Sequence, residues 1–405
     1  MPETAPNGDE SGSTAPTRMG RGKRKHTVMK VIAASVVVLA LVTGLAVTYA
    51  YRHLNGNITT DNFDSAFVEP RLEKVEVTGP QEPLNILVMG SDTRAGEGNN
   101  IDNQTGLGER SDTTILIHLS ADRKRAYGIS IPRDSLVTRP DCKDADGEIV
   151  PGATDAMWNE AFNLAGPGCT ISQFEENTEV AVDHHVVLDF QGFQDMVDAV
   201  NGVQVCIPET VDDREHGIYL EAGTRDISGK EALSYVRQRY AVGDGSDIGR
   251  LKRQQAFMSS MANKIVSADT LASPLTLFNF LNAATKSLTV DDDLGNLRKM
   301  ADVGFQFRNI GLSKIQFSTI PSDYDPVDPN RIRWLPAADR VWKSIRNDKP
   351  LTTRQASEAI SADQVPGGTE SPTGGGSPSA GQSPTGSPSV RPTQEAEAEA
   401  AGLCA

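Results

Sequence analysis

The feature that most constrains this chain is an uncharged apolar run near its N-terminus, from Val31 to Tyr51. A helix that spans a bilayer needs about 20 predominantly apolar residues, and this run supplies them. The apolar core of a cleaved signal peptide is shorter, about 7–15 residues, and Thr48-Tyr-Ala50 is only a weak cleavage site. We therefore predict an uncleaved transmembrane anchor over residues 28–51.

Basic residues crowd directly ahead of this run. They are Arg18, Arg21, Lys23, Arg24, Lys25 and Lys30. Positive charge of this kind keeps the N-terminus in the cytoplasm, so the sequence predicts a single-pass plasma-membrane protein with everything after Arg52 outside. Residues 1–27 are polar and are expected to form a disordered cytoplasmic tail.

Charge and cysteine content narrow the function classes. The formal net charge is −15, with 54 Asp and Glu against 39 Lys and Arg, which argues against a nucleic-acid binder. No Cys-x-x-Cys or Cys/His spacing indicates zinc. Because disulfides persist outside the cytoplasm, we predict that Cys142 pairs with Cys169 across a Gly-, Pro- and Asp-rich segment. Cys206 is expected to be buried and unpaired.

Periodicity predicts one extracytoplasmic domain of the α/β class. Apolar runs at Leu84–Met89, Thr113–Leu119 and Arg125–Ile131 read as strands, the last two forming a hairpin. Strands and helices then alternate, so we expect a mixed central sheet with helices on both faces. The predicted domain covers residues 84–347, after a stalk over 52–83. Residues 353–405, rich in Gly, Pro and Ser, read as a disordered solvated tail.

Three arginines fall within one short stretch. Ser228-Gly-Lys-Glu231 is a capping box that predicts a helix ending near Arg237, with Arg239 just beyond it. Asp247 can cap a second helix, on which Arg250 and Gln254 share a face, whereas Arg253 is off that face and is expected to meet solvent. The alternative is that such arginines only complement helix dipoles or meet solvent.

Two carboxylates complete this group. Asp92 follows one predicted strand and Asp112 precedes the next, each two residues from an arginine, Arg94 or Arg110. Carboxylate oxygens suit Mg²⁺ and arginine forks suit phosphate, so the residues favour a diphosphate held with Mg²⁺. In the alternative, each carboxylate merely pairs with its neighbouring arginine and no metal is needed. No P-loop occurs, and His184 and His185 are expected to pack or to face water.

Five short motifs contain these residues. They are Asn85-Ile-Leu-Val-Met-Gly-Ser-Asp-Thr-Arg94, Arg110-Ser-Asp-Thr-Thr114, Ser130-Ile-Pro-Arg-Asp134, Tyr235-Val-Arg-Gln-Arg-Tyr240 and Asp247-x-x-Arg250-x-x-x-Gln254-Gln255. The motifs resemble those of the LytR–CpsA–Psr family. All five occur in the family's order behind a single anchor. The resemblance covers residues 84–265 well and continues to about residue 347.

The resemblance implies a Mg²⁺-dependent transferase of the Gram-positive cell envelope. Its donor would be a polyprenyl-pyrophosphate-linked glycopolymer, its acceptor peptidoglycan, and its leaving group polyprenyl phosphate. The implied metal ligands are Asp92 and Asp112, and the implied substrate-binding residues are Gln254 and Asp247. The implied catalytic residues are Arg110, Arg133, Arg237, Arg239 and Arg250.

Three questions stay open at this point. An apolar lipid cleft is implied, with Met157, Phe162 and Phe174 as candidates, although the residue pattern favours an ordinary core position for each. The loop over 95–109 exceeds that of compact members and bears on substrate access. The alternatives to a transferase are a polyprenyl-pyrophosphate hydrolase that uses water as acceptor, and a wall-synthesis regulator that binds the lipid without turning it over.

Overall fold

The structure is a computed structural model. It describes residues 23–92, 111–213, 218–238, 242–266, 273–356, 358–364 and 398–404, without the side chains of residues 23–26 and 112. The chain divides into two compact units, Met1–His53 and Leu54–Ala405. Residues 1–22, the loop over 95–109 and most of the predicted C-terminal tail lie outside the described residues, so the predictions made for them stay predictions.

The N-terminal helix is α1, Lys23–Asn57. Its Thr27–Asn57 portion is long and apolar enough to cross a membrane, with a mean hydropathy of 2.5 in its most apolar window. The side chains of Val31, Leu39 and Leu45 are exposed along it, as expected of a helix whose apolar surface needs a non-aqueous partner. The predicted anchor is therefore helical, and the helix continues beyond the expected end at residue 51.

The remaining helices lie in the second unit. They are α2 Glu160–Thr178, α3 Phe190–Ala199, α4 Gly229–Arg237, α5 Asp247–Val266, α6 Pro274–Ser287, α7 Leu297–Phe307 and α8 Pro336–Arg346. Short 3₁₀ helices cover Phe63–Ala66, Asp292–Leu294 and Leu312–Lys314. The backbone of Ala165 and Gly166 is not helical, so α2 has a kink at these two residues.

The strands of this unit are mostly short. Those in the first half are β1 Thr59–Asp61, β2 Leu84–Ser91, β3 Ser111–Leu119, β4 Ala126–Ile131, β5 Leu136–Arg139, β6 Cys142–Lys143, β7 Ile149–Val150, β8 Ala153–Met157 and β9 His184–Leu188. The second half holds β10 Val203–Ile207, β11 Val211–Asp213, β12 Ile218–Leu220, β13 Gly223–Ile227, β14 Leu288–Asp291, β15 Ile315–Thr319, β16 Ser322–Tyr324, β17 Ile332–Trp334 and β18 Ile360–Ser361.

The central sheet has the order β1-β14-β9-β2-β3-β4-β15-β18. Its middle is the meander of β2, β3 and β4, which are antiparallel to one another. On the two sides of this meander, β9 runs parallel to β2 and β15 runs parallel to β4. The mixed central sheet predicted from the sequence is confirmed.

Helices cover both faces of the sheet, as predicted. Strand residues such as Leu116 pack on one face against Phe174 of α2 and Trp342 of α8. Leu119 and Phe317 belong to a core cluster on the other face, with Met258 of α5 packed against it. Because side chains alternate between the faces of a strand, consecutive strand residues supply both cores.

The domain begins earlier than the sequence predicts. Strand β1 pairs in parallel with β14 at the edge of the sheet, and Phe63 is buried in the main core. Residues 59–66, which the sequence places in a stalk, are thus part of the domain. A three-residue edge strand has no readable periodicity, and its partner lies more than two hundred positions further along the chain.

The C-terminal expectation is also wrong in part. Strand β18 pairs with β15, and Ala401 and Leu403 are buried against Ala256 of α5. The reason is a covalent tether, because Cys404 forms a disulfide with Cys206 over a Cα–Cα distance of 5.8 Å. Cys206 is therefore not unpaired. The predicted disulfide between Cys142 and Cys169 is confirmed, with a Cα–Cα distance of 5.4 Å.

Candidate functional site

One edge of the central sheet gathers the chain's candidate site residues. Asp92 directly follows β2, and Ser91 at the end of β2 pairs with Ser111 at the start of β3. Strand β4 is antiparallel to β3, so its C-terminal end, followed by Pro132 and Arg133, lies at this same edge. The meander thus brings Asp92, the backbone of Asp112 and Arg133 to one edge, as the sequence predicts.

A β-bulge sits where the two carboxylate positions meet. Gly90 pairs with Thr113 while Ser91 pairs with Ser111, so Asp112 is the additional residue of β3. Bulges of this kind re-aim the chain locally and occur often beside active sites. The Ser111 hydroxyl donates a 3.0 Å hydrogen bond to the carbonyl of Thr113, which fixes the backbone on both sides of Asp112.

Arg237 reaches this edge from the helical layer. The capping box of Ser228 and Glu231 is present, and α4 ends at Arg237 as predicted. The guanidinium carbon of Arg237 lies 4.4 Å from the ring centroid of Phe190, the first residue of α3. Helix α3 follows β9, whose Leu188 pairs with Gly90 near the end of β2, so Phe190 and Arg237 belong to the same edge.

Helix α5 begins beside the site, but its cap differs from the prediction. The Ser246 hydroxyl accepts a 2.9 Å hydrogen bond from the amide of Gly249, so Ser246 caps the helix in place of Asp247. The carboxylate of Asp247 instead forms a 2.8 Å ion pair with Arg250. Ser246 precedes the first helical residue, which is the position from which a side chain reaches the third helical amide.

Arg250 and Gln254 lie on the same buried side of α5, as predicted. The Gln254 amide nitrogen donates a 3.1 Å hydrogen bond to the carbonyl of Val236, at the end of α4. Its amide oxygen is buried and has no hydrogen-bond partner among the described residues. This contact locks the start of α5 to the end of α4, one residue before Arg237, so the two arginine-bearing helix ends are held together.

Arg253 contradicts the prediction that it meets solvent. Its side chain is 1 % exposed, and its guanidinium donates to the carbonyls of Ala401, at 2.7 Å, and Gln238. Burial lowers the pKa of Arg253, although its usual value is so high that the group stays charged. The side of α5 that should face water is covered by residues 398–404, which the sequence places in a solvated tail.

Two clefts open beside Arg133. One, of about 610 Å³, is lined by Arg133, Asp134, Asp247, Tyr324 and Arg331 among others. The second, of about 530 Å³, shares Arg133, Asp134 and Arg331 and extends to Met157 and Asn159. Asp134 accepts a 3.3 Å hydrogen bond from Arg133 Nε and so orients that arginine. The clefts connect the end of β4 with the start of α5.

Two residues of the site, Arg331 and Phe190, are not identifiable from the sequence. Arg331 lies between β16 and β17 and lines both clefts, yet no motif or periodicity surrounds it. Phe190 reads as an ordinary core residue, and only the fold places Arg237 over its ring. Neither role has a local signal, because each depends on contact with an element distant in the chain.

Some predicted residues lie outside the described ranges or belong to the core. Arg94, Arg110 and Arg239 are outside, as is the side chain of Asp112, so their roles stay predictions. Phe162 and Phe174 are buried in the main core, which fits the ordinary-core alternative. His185 packs against the ring of Phe63 and His184 contacts Asp291 at 3.1 Å, so both histidines pack as expected.

The model of the LytR_cpsA_psr family matches residues 48–347, which include every site residue named above. The chain belongs to the LytR–CpsA–Psr family. The match also begins near residue 48, in agreement with a domain that includes β1. The resemblance to this family and the α/β fold class, both inferred from the sequence, are confirmed.

Individual members of the family are moderately similar. The cell wall biosynthesis protein LcpA of Corynebacterium glutamicum is 28% identical over 70% of this chain and 59% of its own length. The polyisoprenyl-teichoic acid–peptidoglycan teichoic acid transferase TagT of Bacillus subtilis is 28% identical over 61% of this chain and 76% of its own. This chain thus spans about three fifths of the first relative's length.

A solved structure shares the fold of this LytR–CpsA–Psr chain. The LytR-Csp2A-Psr enzyme from Actinomyces oris aligns with a TM-score of 0.50 at 19% identity, over 69% of this chain and 97% of that one. At this identity the likeness concerns the fold alone.

Proposed function

We propose that this chain transfers a glycopolymer from a polyprenyl-diphosphate carrier to peptidoglycan. The observation that carries the proposal is the convergence of Arg133, Arg237 and Arg250 with Asp92 at one edge of the sheet. A relative of this family is named as a teichoic acid–peptidoglycan transferase, which supports a reaction of the same class.

The arginines suit a diphosphate because each guanidinium is planar, permanently charged and able to bind two phosphate oxygens. They approach from different elements, with Arg133 after β4, Arg237 at the end of α4 and Arg250 in the first turn of α5. Arg110 and Arg239 are proposed to join them. Gln254 and Asp247 set the position of α5 and Arg250, and so act on the substrate through that arginine.

The carboxylates fit a magnesium ion. The proposal is supported by the backbone, since Asp92 follows the end of β2 and Asp112 is the bulged residue at the start of the neighbouring β3. Among the described ranges no group of three or more His, Cys, Asp or Glu could hold a metal. A pair of carboxylates suits Mg²⁺, which keeps several waters and takes its other ligands from substrate phosphates. Bound there, the ion would neutralise diphosphate charge that the two carboxylates otherwise repel.

The chemistry is a phosphoryl transfer. A muramic-acid hydroxyl of peptidoglycan attacks the phosphorus next to the sugar, and the bond from that phosphorus to the bridging diphosphate oxygen breaks. The hydroxyl proton passes to a carboxylate at this edge, and polyprenyl phosphate leaves. The arginines stabilise the charge that builds on the phosphoryl oxygens and on the leaving group, the main contribution a protein makes to such a step.

Helix α1 supports a location at the membrane, where the lipid carrier resides. Its apolar portion, Thr27–Asn57, is long enough to cross a bilayer. The basic residues ahead of it favour a cytoplasmic N-terminus and an extracytoplasmic domain. We propose that the site therefore faces the cell wall while the carrier's polyprenyl chain stays in the lipid.

The test uses the full chain in detergent micelles, with a polyprenyl-diphosphate donor labelled in its sugar and with purified peptidoglycan. Transfer predicts label in the peptidoglycan together with release of polyprenyl phosphate. Label released as soluble sugar phosphate would indicate the hydrolase instead, and binding without turnover would indicate a regulator. Arg133→Ala should abolish transfer, and Arg308→Ala, at an exposed arginine after α7, should not.

A further inference from the structure

A larger cleft lies outside the site described above. Its volume is about 1060 Å³, and it runs along β15 between α5 and α8. Strand β18 pairs only with Gln316 and Phe317 of β15, whereas β4 pairs with the whole of β15 on its other side. Among the described residues, Ser318 and Thr319 therefore have no strand partner on the side of β18. We call this cleft the β15 groove.

The walls of the β15 groove are strongly basic. Its lining includes the cations Lys252, Arg340, Lys343, Lys349 and Arg354, with Glu358 as the acidic residue. This concentration contrasts with the formal net charge of −15 for the whole chain. Arg340, Lys343 and Lys349 are exposed, and within the described ranges they form no ion pair. Such a groove attracts a polyanion and releases its counterions on binding.

One end of the β15 groove lies close to the site. Ile320, Pro321 and Ser322 line it and directly follow β15. Because β15 runs parallel to β4, this end of the groove lies at the sheet edge where Arg133 follows β4. Ile248 and Lys252 line the groove from the first turns of α5, the same turns that carry Asp247 and Arg250. A chain leaving the diphosphate site could therefore enter the groove directly.

We propose that the β15 groove is a second binding site for the donor, which holds its glycopolymer part through acidic groups repeated along that polymer. The inference rests on the proposed function, since it assigns a further binding site to that same transferase. The cations contact the repeat units beyond the sugar that carries the diphosphate. They raise the affinity for the donor and leave the chemical step to the arginines at the sheet edge.

The test compares two donors on one polyprenyl diphosphate carrier, an anionic phosphodiester polymer and a neutral disaccharide. The variant is Arg340→Glu with Lys343→Glu and Lys349→Glu. We expect the KM for the anionic donor to rise about tenfold or more, the KM for the neutral donor to stay within about twofold, and kcat to change little. Moderate salt should raise the wild-type KM for the anionic donor alone.

The control variant reverses two exposed cations elsewhere, Arg308→Glu with Lys314→Glu. Lys314 directly precedes β15 and so lies at the opposite end of that strand from the groove mouth. The control should leave both KM values unchanged. Equal effects of the groove variant on both donors, or an effect on the KM for peptidoglycan alone, would overturn the assignment.

A binding measurement separates this inference from the proposed function. A fluorescent poly(glycerol phosphate) oligomer without lipid should bind the full-length wild type and bind the groove variant at least about tenfold more weakly. If the wild type turned over neither donor, the proposed function would be wrong. The binding measurement would still show whether the groove binds the polymer. Equal binding of the oligomer by wild type and groove variant would show that the groove does not bind the polymer.

Discussion

The guanidinium of Arg237 stacks on the ring of Phe190, with 4.4 Å between the guanidinium carbon and the ring centroid. The contact joins the last residue of α4 to the first residue of α3. A cation over an aromatic face gains about 0.5–2 kcal/mol, depending on how far it is desolvated. The ring therefore holds a proposed diphosphate-binding charge in one position at the sheet edge.

Replacing this ring should impair the enzyme more than the fold. We expect Phe190→Leu to lower kcat/KM about threefold to tenfold, because the arginine loses its platform while apolar volume is largely kept. Transfer kinetics with the labelled donor measure it. The control is Phe193→Leu in the same helix, whose ring packs on Phe257 of α5. An unchanged kcat/KM for Phe190→Leu would show that the stacking does not position Arg237.

Removing Arg253 should destabilise the domain. Arg253→Ala leaves the buried carbonyls of Ala401 and Gln238 without their donor, so we expect a loss of about 3 kcal/mol in unfolding free energy. Urea unfolding followed by circular dichroism measures it. The exposed Arg308→Ala should cost less than about 0.5 kcal/mol. Equal stability of the two variants would mean that Arg253 is not buried in solution.

The Cys206–Cys404 disulfide should stabilise the domain and its site. It closes a loop with a sequence separation of 198, for which the chain-entropy model gives up to about 5 kcal/mol. Residue 400 also accepts a 2.8 Å hydrogen bond from the amide of Asp244, in the loop that leads into α5. We therefore expect Cys404→Ser to lower both the melting temperature and kcat.

Non-reducing peptide mapping checks that pairing directly. It should yield one peptide pair containing Cys206 with Cys404 and another containing Cys142 with Cys169. Recovery of the Cys206 peptide alone would contradict the structure. Cys142→Ser serves as the comparison variant, since its disulfide closes a shorter loop, with a sequence separation of 27, and should cost about 3 kcal/mol.

Acid should weaken the domain through His185. Its ring is completely buried, and burial lowers the pKa of this imidazole below its usual value of about 6.5. The folded state thus binds the proton less readily than the unfolded chain. Its contribution to stability is complete above about pH 6.5 and falls as the pH drops below that value, by at most about 1.4 kcal/mol per pH unit.

Unfolding free energies at about pH 8 and pH 5.5 test this effect. The wild type should lose more stability on acidification than His185→Phe, which keeps an aromatic ring against Phe63 and cannot take the proton. The His184–Asp291 contact remains in both proteins, so the difference between them isolates His185. An identical pH dependence would assign the acid sensitivity to other groups.

Metal removal tests the two carboxylates. Excess chelator should abolish transfer by the wild type, and added Mg²⁺ should restore it, because the diphosphate and the carboxylates otherwise repel each other. Asp92→Ala and Asp112→Ala should each abolish transfer while circular dichroism stays unchanged. Transfer that persists in excess chelator would favour the alternative in which each carboxylate only pairs with an arginine.

The sequence by itself determined the features that depend on neighbouring residues. The capping box of Ser228 and Glu231 and the shared face of Arg250 and Gln254 are readable from it. So is the hairpin of β3 and β4, which leads from Asp112 to Arg133. Caps, helix faces and short hairpins are set by spacings of a few residues. The anchor helix is equally local, since a long uncharged run suffices to predict it.

The tertiary structure alone decided which side of each element is covered. The position of Arg253 on α5 predicts that its side chain meets solvent. Residues 398–404 instead cover that side of the helix, and the carbonyl of Ala401 accepts a hydrogen bond from the guanidinium. The pairing of β1 with β14 and the bond from Cys206 to Cys404 join residues about two hundred positions apart. Local periodicity reports how a segment folds, whereas burial depends on partners that only the folded chain brings into contact.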